Sequence, residues 1–573
     1  MARFLGLLLA VCLALGACSE RGAALVDPTL GDRAAPPSVA LDDGSVWPIV
    51  TTDFLALVPA DTPFVLAHQE ALPDATVDRL APVFAPFGAL LDLGLASSFE
   101  EDTSKRKQVI EAFFGGPPTI TALAGVGLEF NPRFIAYGLG VAPVLRLRLA
   151  DADLFVAGLR RVDAQVEGRP NTRTFHGQTY LASATKDGEL RVAALVGSDL
   201  VMAVLPAGEI QRELLPLVFG QKLPERSLAS TGRLAEIRSR HTLRRSVSGY
   251  LDLSLFMTAY LGRGSSLNSR VATAFDIVDS SESQVCVDEL LAVFAAFPRL
   301  VVGFQDASPS TIIWSVTLEL SPTFAALLAK FPNAIPDIPP PPGGAVASLG
   351  VGLDLKAVGT AALQYAESIR RDPFRCPDFK GFNDLAASSI KALEAAPPPL
   401  LSVSGVSMSF HDLSDGSVDG VLVVDLEDPK AALAAMQATT PGLHAERLRK
   451  RRPVRLDSLV DFGLDAGDDL FADAWVAMGE HSLGVTFGAA HRRELMAGLD
   501  RRRAADGAVI VASLELGDWI ARNRDPVQRL LRLEGRLGRE IAAAVFNLLS
   551  HVELRLTATA QGLGLHLDLG DGT

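Results

Sequence analysis

Asp252 and Glu515 each close a strand-like segment, Ser248-Gly249-Tyr250-Leu251-Asp252-Leu253 and Ala512-Ser513-Leu514-Glu515-Leu516. Paired carboxylates can share acid and base work. Alternation along a strand instead makes an outward-facing acid the first expectation at both places. Three Ser-x-x-Lys spacings occur, Ser104 with Lys107, Ser183 with Lys186 and Ser388 with Lys391. Such a spacing activates a serine only at a helix start supported by further motifs such as Lys-Thr-Gly, which follows none of them. The first reads as a solvated helix entry, the second as a hairpin turn and the third as part of an amphipathic helix. Asp415-Gly416-Ser417-Val418-Asp419-Gly420 starts like a calcium loop, but its twelfth position is Leu426 where a chelating Glu is needed. A hairpin turn is expected there. No Gly-rich phosphate loop, nucleophile elbow or H-E-x-x-H is present, and the nine histidines are scattered. The sequence assigns no catalytic, metal or cofactor-binding residue.

Cysteine carries the remaining chemistry. Of four cysteines, Cys12 lies in an apolar N-terminal run and Cys18 directly follows it. Arg3 supplies a positive start, Phe4 to Leu15 an apolar stretch, and Gly16-Ala17 small residues, the layout of a secretory signal over residues 1–17. The run is too short to span a bilayer, which takes about 20 apolar residues. Export removes Cys12, and with Cys18 taken by lipid, Cys286 and Cys376 remain as a pair in an oxidising compartment, where a disulfide is expected. Cys286 opens an apolar helix-like run, while Cys376 sits in the polar loop Arg371-Asp372-Pro373-Phe374-Arg375-Cys376-Pro377-Asp378. Neither lies in a Cys-x-x-Cys context that would suit redox work.

Leu15-Gly16-Ala17-Cys18 resembles the lipobox of bacterial lipoproteins. The resemblance implies cleavage before Cys18, a diacylglycerol on its thiol and an acylated new amine. Several chains anchor a protein stably where a single one does so marginally. Ser19 after the lipidated residue implies passage to the outer membrane, on a face the residues do not specify. Together with Val58-Pro59-Ala60-Asp61-Thr62-Pro63-Phe64-Val65 and Ser248-Gly249-Tyr250-Leu251-Asp252-Leu253, this lipobox makes the chain similar to a family of uncharacterised Gram-negative lipoproteins. That family implies an address and an architecture, and no catalytic residues.

These positions need a scaffold. The 573 residues imply more than one domain, and an apolar share of 48% implies packed cores rather than disorder. A formal charge of −14 argues against nucleic acid as a partner and against lying flat on an anionic bilayer. The partners expected are the membrane, through lipid on Cys18, and an unknown envelope protein or ligand; no cofactor is expected. Residues 18–57 read as the lipidated cysteine and a flexible tether, and the proline-rich 334–344 as a stiff linker. The flanking stretches, 58–333 and 345–573, look like copies. Strand and helix at Phe64–Ala67 and Val77–Leu80 recur at Val346–Leu349 and Leu355–Val358. Pro143–Asp151 recurs as Gly420–Asp428, Val192–Leu200 as Val476–Leu483, Ser248–Leu253 as Ala512–Leu516, and Val293-Phe294 as Val545-Phe546. Short strands and hairpin turns such as Thr185-Lys186-Asp187-Gly188 favour antiparallel sheets with packed helices. The fold expected is α+β, in two tandem homologous halves. The function expected is a non-enzymatic binding or scaffolding lipoprotein of the envelope. A divergent hydrolase, with a site drawn from Asp252, Glu515 and a histidine between the halves, is the alternative.

Overall fold

Strands rich in apolar residues, some alternating and some continuous, pair antiparallel with their neighbours. A computed structural model describes residues 53–84, 108, 111–116, 120–165, 171–184, 189–263, 266–278, 283–308, 310–339, 345–395, 402–412, 419–439, 448–455, 474–487, 491–504, 506–515 and 551–570. The chain divides into two compact units. The first takes Met1–Ser280, Gly303–Pro309 and Glu534–Val545; the second takes Ser281–Val302, Ser310–Leu533 and Phe546–Thr573.

Strands of the first unit are β1 (Phe64–His68), β2 (Phe134–Leu139), β3 (Ala142–Arg148), β4 (Asn171–Phe175), β5 (Gln178–Ala184), β6 (Leu190–Val196), β7 (Asp199–Leu205) and β8 (Ser248–Asp252). β9 (Arg299–Ala307) runs across the division of the chain. Pairing sets the order β4-β5-β6-β7-β3-β2-β1-β8, every neighbour antiparallel. Helices α1 (Asp74–Phe84), α2 (Ile120–Gly125), α3 (Ala152–Gln165), α4 (Ile210–Phe219), α5 (Leu228–Thr231), α6 (Arg233–Arg240), α7 (Leu253–Tyr260) and α8 (Leu267–Ala274) complete it. Leu214, Leu215, Val218 and Phe219 of α4 are fully buried, as are Ile135, Val201 and Leu205 on the strands. Gly220 ends α4 in a left-handed conformation (φ 70°), open to glycine without a Cβ penalty. Arg146 is wholly buried, and its guanidinium donates to the carbonyl of Val218 near that helix end, where a cation suits the helix dipole.

The second unit opens on α9 (Gln284–Ala296), then β10 (Thr311–Glu319), α10 (Pro322–Leu328) and β11 (Ile335–Pro336). β12 (Ala347–Gly352) leads to the helical hairpin α11 (Leu355–Arg371) and α12 (Lys380–Glu394). β13 (Val403–Asp412), β14 (Asp419–Leu426), α13 (Pro429–Thr439), β15 (Val454–Arg455), β16 (Trp475–Met478) and β17 (Ser482–Phe487) follow. The chain continues through α14 (Arg492–Gly498), β18 (Arg502–Arg503), β19 (Ala508–Leu514), β20 (His551–Thr559) and β21 (Gly562–Gly570). The sheet order is β15-β16-β17-β14-β13-β12-β19-β20-β21-β10, again antiparallel throughout. β11 and β18 form a separate small ladder. The fold is α+β with antiparallel sheets.

The division of the chain falls elsewhere than the proline-rich stretch. Within 334–344, Ile335–Pro336 pairs with β18, and Ile335 is buried against Ala508 and Val511. A Cβ at Gly350 would come within 2.6 Å of Ile335, and one at Gly405 within 2.8 Å of Pro336. Missing side chains on β12 and β13 thus make room for this segment to lie against the sheet. Residues 340–344 lie outside the described residues.

Candidate functional site

Asp252 corrects the expectation of an outward-facing acid: it is 6% exposed at the junction of β8 and α7. Its carboxylate caps α7 by accepting from the N–H of Leu255 at 2.9 Å and pairs with Arg233. Arg233 in turn lies 4.8 Å from the Tyr250 ring centroid. Glu515 follows β19 and is half-buried; it accepts from Nδ1 of His551 at 2.5 Å. The acids sit alike in their sheets, for Asp252 N–H bonds Pro63 O at 2.7 Å and Glu515 N–H bonds Val346 O at 2.9 Å.

A polar sheet face surrounds Glu515. Pairing places Ser348, Ser513, Glu553 and Asp568 in one row across β12, β19, β20 and β21. Ser348 and Ser513 share a hydrogen bond of 2.7 Å between hydroxyls. Thr557 Oγ1 and His566 Nε2 are 3.1 Å apart, and burial, helped by Arg555, holds the His566 ring below its ordinary pKa. Among the described residues these contacts stay separate. The Glu515–His551 pair reaches no hydroxyl, and Thr557–His566 no carboxylate, so no acid–histidine–hydroxyl relay is assembled there.

Cys286 and Cys376 are joined, with Sγ atoms 2.02 Å apart. Ser283 caps α9 by accepting from Cys286 N–H at 3.3 Å. One turn on, Glu289 accepts from the N–H groups of Arg375 (2.8 Å) and Cys376 (3.1 Å). Asn383 of α12 bonds both the N–H and the carbonyl of Phe374. The loop between α11 and α12 is therefore held covalently and by a two-pronged carboxylate. Ser388 lies in α12 and its hydroxyl bonds Leu385 O, so this Ser-x-x-Lys is helix surface. Ser104, Lys107, Lys186, Val545, Phe546 and the turn Ser414-Asp415-Gly416-Ser417 lie outside the described residues, although β5–β6 and β13–β14 on either side of the two turns do pair as hairpins.

Two basic runs stand out in a chain that is acidic as a whole. Arg449-Lys450-Arg451-Arg452-Pro453-Val454-Arg455 and Arg501-Arg502-Arg503 are both visible in the sequence. The structure brings them around one carboxylate, Asp500. Arg452 N–H bonds Arg449 O at 3.1 Å in a turn whose Arg451 adopts φ 56° and donates its N–H to Met478 O at 2.7 Å. Asp500, at φ 65°, accepts from the N–H groups of Glu480 (2.7 Å) and His481 (2.8 Å) and from Ser482 Oγ (3.2 Å). Burial opposes its ionisation, but these donors and Arg451, 3.6 Å away, hold the carboxyl below its usual range. Lys450 pairs with Glu480 at 2.9 Å, Arg501 with Asp337 at 2.6 Å and Arg502 with buried Asp425 at 2.8 Å. Burial pushes the Asp425 carboxyl up and Arg502 opposes that shift. Arg449, Arg452 and Arg503 face no carboxylate within ion-pair distance among the described residues. Four of these exposed cations, Lys450, Arg451, Arg501 and Arg502, are thus matched to four carboxylates. Exposed guanidinium groups at this density are suited to bidentate binding of phosphate or carboxylate.

Cys18 and residues 1–52 lie outside the described residues. Comparison with protein-family profiles, with curated proteins and with solved structures returns no match.

Proposed function

We propose that the chain is an exported lipoprotein of the bacterial envelope, of the uncharacterised Gram-negative family it resembles. Lipid on Cys18 holds it to the outer membrane, and its body serves as a non-enzymatic binding or scaffolding module. The observation that carries the reading is the Cys286–Cys376 disulfide, both cysteines buried, which fits a body that folds in an oxidising compartment. Leu15-Gly16-Ala17-Cys18 supplies the matching anchor. No helix of the described residues is long and apolar enough to cross a membrane.

The two units descend from a tandem duplication in this reading. Strand order supports it: β5-β6-β7-β3-β2-β1-β8 in the first unit runs parallel to β15-β16-β17-β14-β13-β12-β19 in the second. Helices follow the corresponding strands, α1 and α11 after β1 and β12, α3 and α13 after β3 and β14, α4 and α14 after β7 and β17. The like bonds of Asp252 and Glu515 to the preceding strand's neighbour add a side-by-side check. Metabolic labelling with palmitate tests the anchor. Label on the wild-type chain and none on Cys18→Ser supports it; equal label on both, or none on either, overturns it.

A further inference from the structure

We propose that the outward face of α12 is a self-association surface, which pairs antiparallel with α12 of a second copy of this chain about a two-fold axis at Ser388.

The face is set by what α12 buries. Ala386 and Ile390 pack with Ala366 and Ile369 of α11, which leaves a strip of exposed residues repeating every seven positions. Gly381, Ser388 and Ala395 run down its middle. Leu385 and Ala392 form one flank, Asp384 and Lys391 the other. A period of seven keeps such a strip in line along a partner helix. Leu385, at 60%, is the most exposed large apolar side chain among the described residues, and Phe382 one turn earlier is 52% exposed. Asp384 and Lys391 make no ion pair among the described residues. Residues 396–401, which follow directly, carry no charge.

Reversed, the strip is its own complement. With the axis at Ser388, Gly381 meets Ala395 of the second copy, Leu385 lies over Ala392 and Asp384 lies against Lys391. Symmetry repeats each contact, so large meets small and acid meets base twice over. A parallel pairing instead sets the charged flank against Leu385 and Ala392, which takes both charges from water without a partner. Small residues along the middle let the two backbones approach to about 8 Å between axes.

The face is also held ready. The Cys286–Cys376 disulfide and Glu289 fix the loop that enters α12, and Asn383 of α12 bonds both the N–H and the carbonyl of Phe374. Little is left to order on pairing, which lowers its entropic cost. One helix pair buries less than the roughly 1,200 Å² of a standard interface. Pairing is therefore weak in dilute solution and forms where copies are crowded. Only that crowding comes from the envelope reading, in which lipid confines the chains to one surface.

The test places a thiol at the axis. The purified full chain carrying Ser388→Cys is oxidised with copper–phenanthroline and run on a gel without reductant. Helices this close bring the two introduced thiols within disulfide reach, and a dimer band is expected. Ala387→Cys, also exposed but turned about 100° around the helix, is expected to couple roughly ten-fold more slowly. In the Ser388→Cys chain, Asp384→Lys sets lysine against lysine twice across the axis and is expected to slow coupling roughly ten-fold. Adding Lys391→Asp to that chain is expected to restore it. Unchanged melting curves verify that these surface changes leave the fold intact. No dimer from Ser388→Cys, equal coupling at both thiol positions, or a charge swap that fails to restore coupling overturns the proposal. Wild type run alongside reports any coupling through Cys12 or Cys18, and if it couples the variants are read in a Cys12→Ser/Cys18→Ser chain. Failure of lipidation at Cys18 therefore leaves the result readable, and the two readings fail separately.

Discussion

His411 makes the second unit acid-labile in a defined window. It is 6% exposed on β13, stacked on His491 with ring centroids 4.2 Å apart, and among the described residues neither ring nitrogen has a hydrogen-bond partner. Burial first, and the neighbouring His491 second, lower its pKa from 6.5 to about 4, against a small opposing pull from Glu494. Because the native pKa lies below the unfolded one, the contribution is intact above pH 6.5 and is lost as pH falls from 6.5 toward 4, where the unfolded chain takes up the proton and the native one resists it. The shift corresponds to about 3 kcal/mol at pH 4. For a unit of this size that is roughly 6–12 °C in Tm. The perturbation is His411→Phe, which keeps a ring against His491 and removes the titration; at pH 7 it is expected to be neutral or stabilising, since no hydrogen bond is lost. Calorimetry of both proteins at pH 7 and pH 4 reads the difference for the transition that carries the second unit. Carboxylates such as Asp425 titrate alike in both proteins and cancel. An identical fall in Tm for wild type and variant would refute the reasoning.

Three further substitutions probe the scaffold. Cys286→Ser/Cys376→Ser opens a covalent loop between residues 90 apart, and is expected to cost about 4–5 kcal/mol on the chain-entropy model, seen as a lower denaturant midpoint and faster exchange in α11 and α12. Gly249→Ala would set a Cβ 2.3 Å from Val65 O inside the β1–β8 ladder; a loss of roughly 1–3 kcal/mol is expected by chemical denaturation, and an unchanged midpoint would contradict the close approach. Asp500→Ala strips the acceptor from two N–H groups and a hydroxyl at the β16–β17 turn, with an expected loss of about 2–3 kcal/mol. The Asp500 contribution is present above the ordinary aspartate pKa and fades as pH falls through its lower native one, so wild type and variant should converge in strong acid.

Strand positions were legible because burial on one face leaves a period-2 trace, as in β6, where alternate residues Leu190, Val192, Ala194 and Val196 are buried. The disulfide was legible for a different reason: with Cys12 and Cys18 set aside, as the lipobox resemblance implies, two cysteines are left, and two have one way to join. The order in which strands meet was hidden, since β3 pairs with β7 across 50 intervening residues that carry no mark of it. Asp252 was misread because alternation describes the strand alone, while capping by Asp252 depends on α7 starting at the next residue. The proline-rich stretch was misread for a similar reason. Its stiffness is local, but whether it packs depends on Gly350 and Gly405, which clear a path for Ile335 and Pro336. The two basic runs are written plainly in the sequence, at Arg449–Arg455 and Arg501–Arg503. Their focus on Asp500 could not be read, because nothing in either run shows that the β16–β17 turn brings them together.

The most direct measurement is mass spectrometry of the N-terminal peptide recovered from the membrane fraction. The expected peptide begins at Cys18 and carries a thioether-linked diacylglycerol with an acylated amine. A peptide that still contains residues 1–17, or a Cys18 with a free thiol, would contradict the lipoprotein reading.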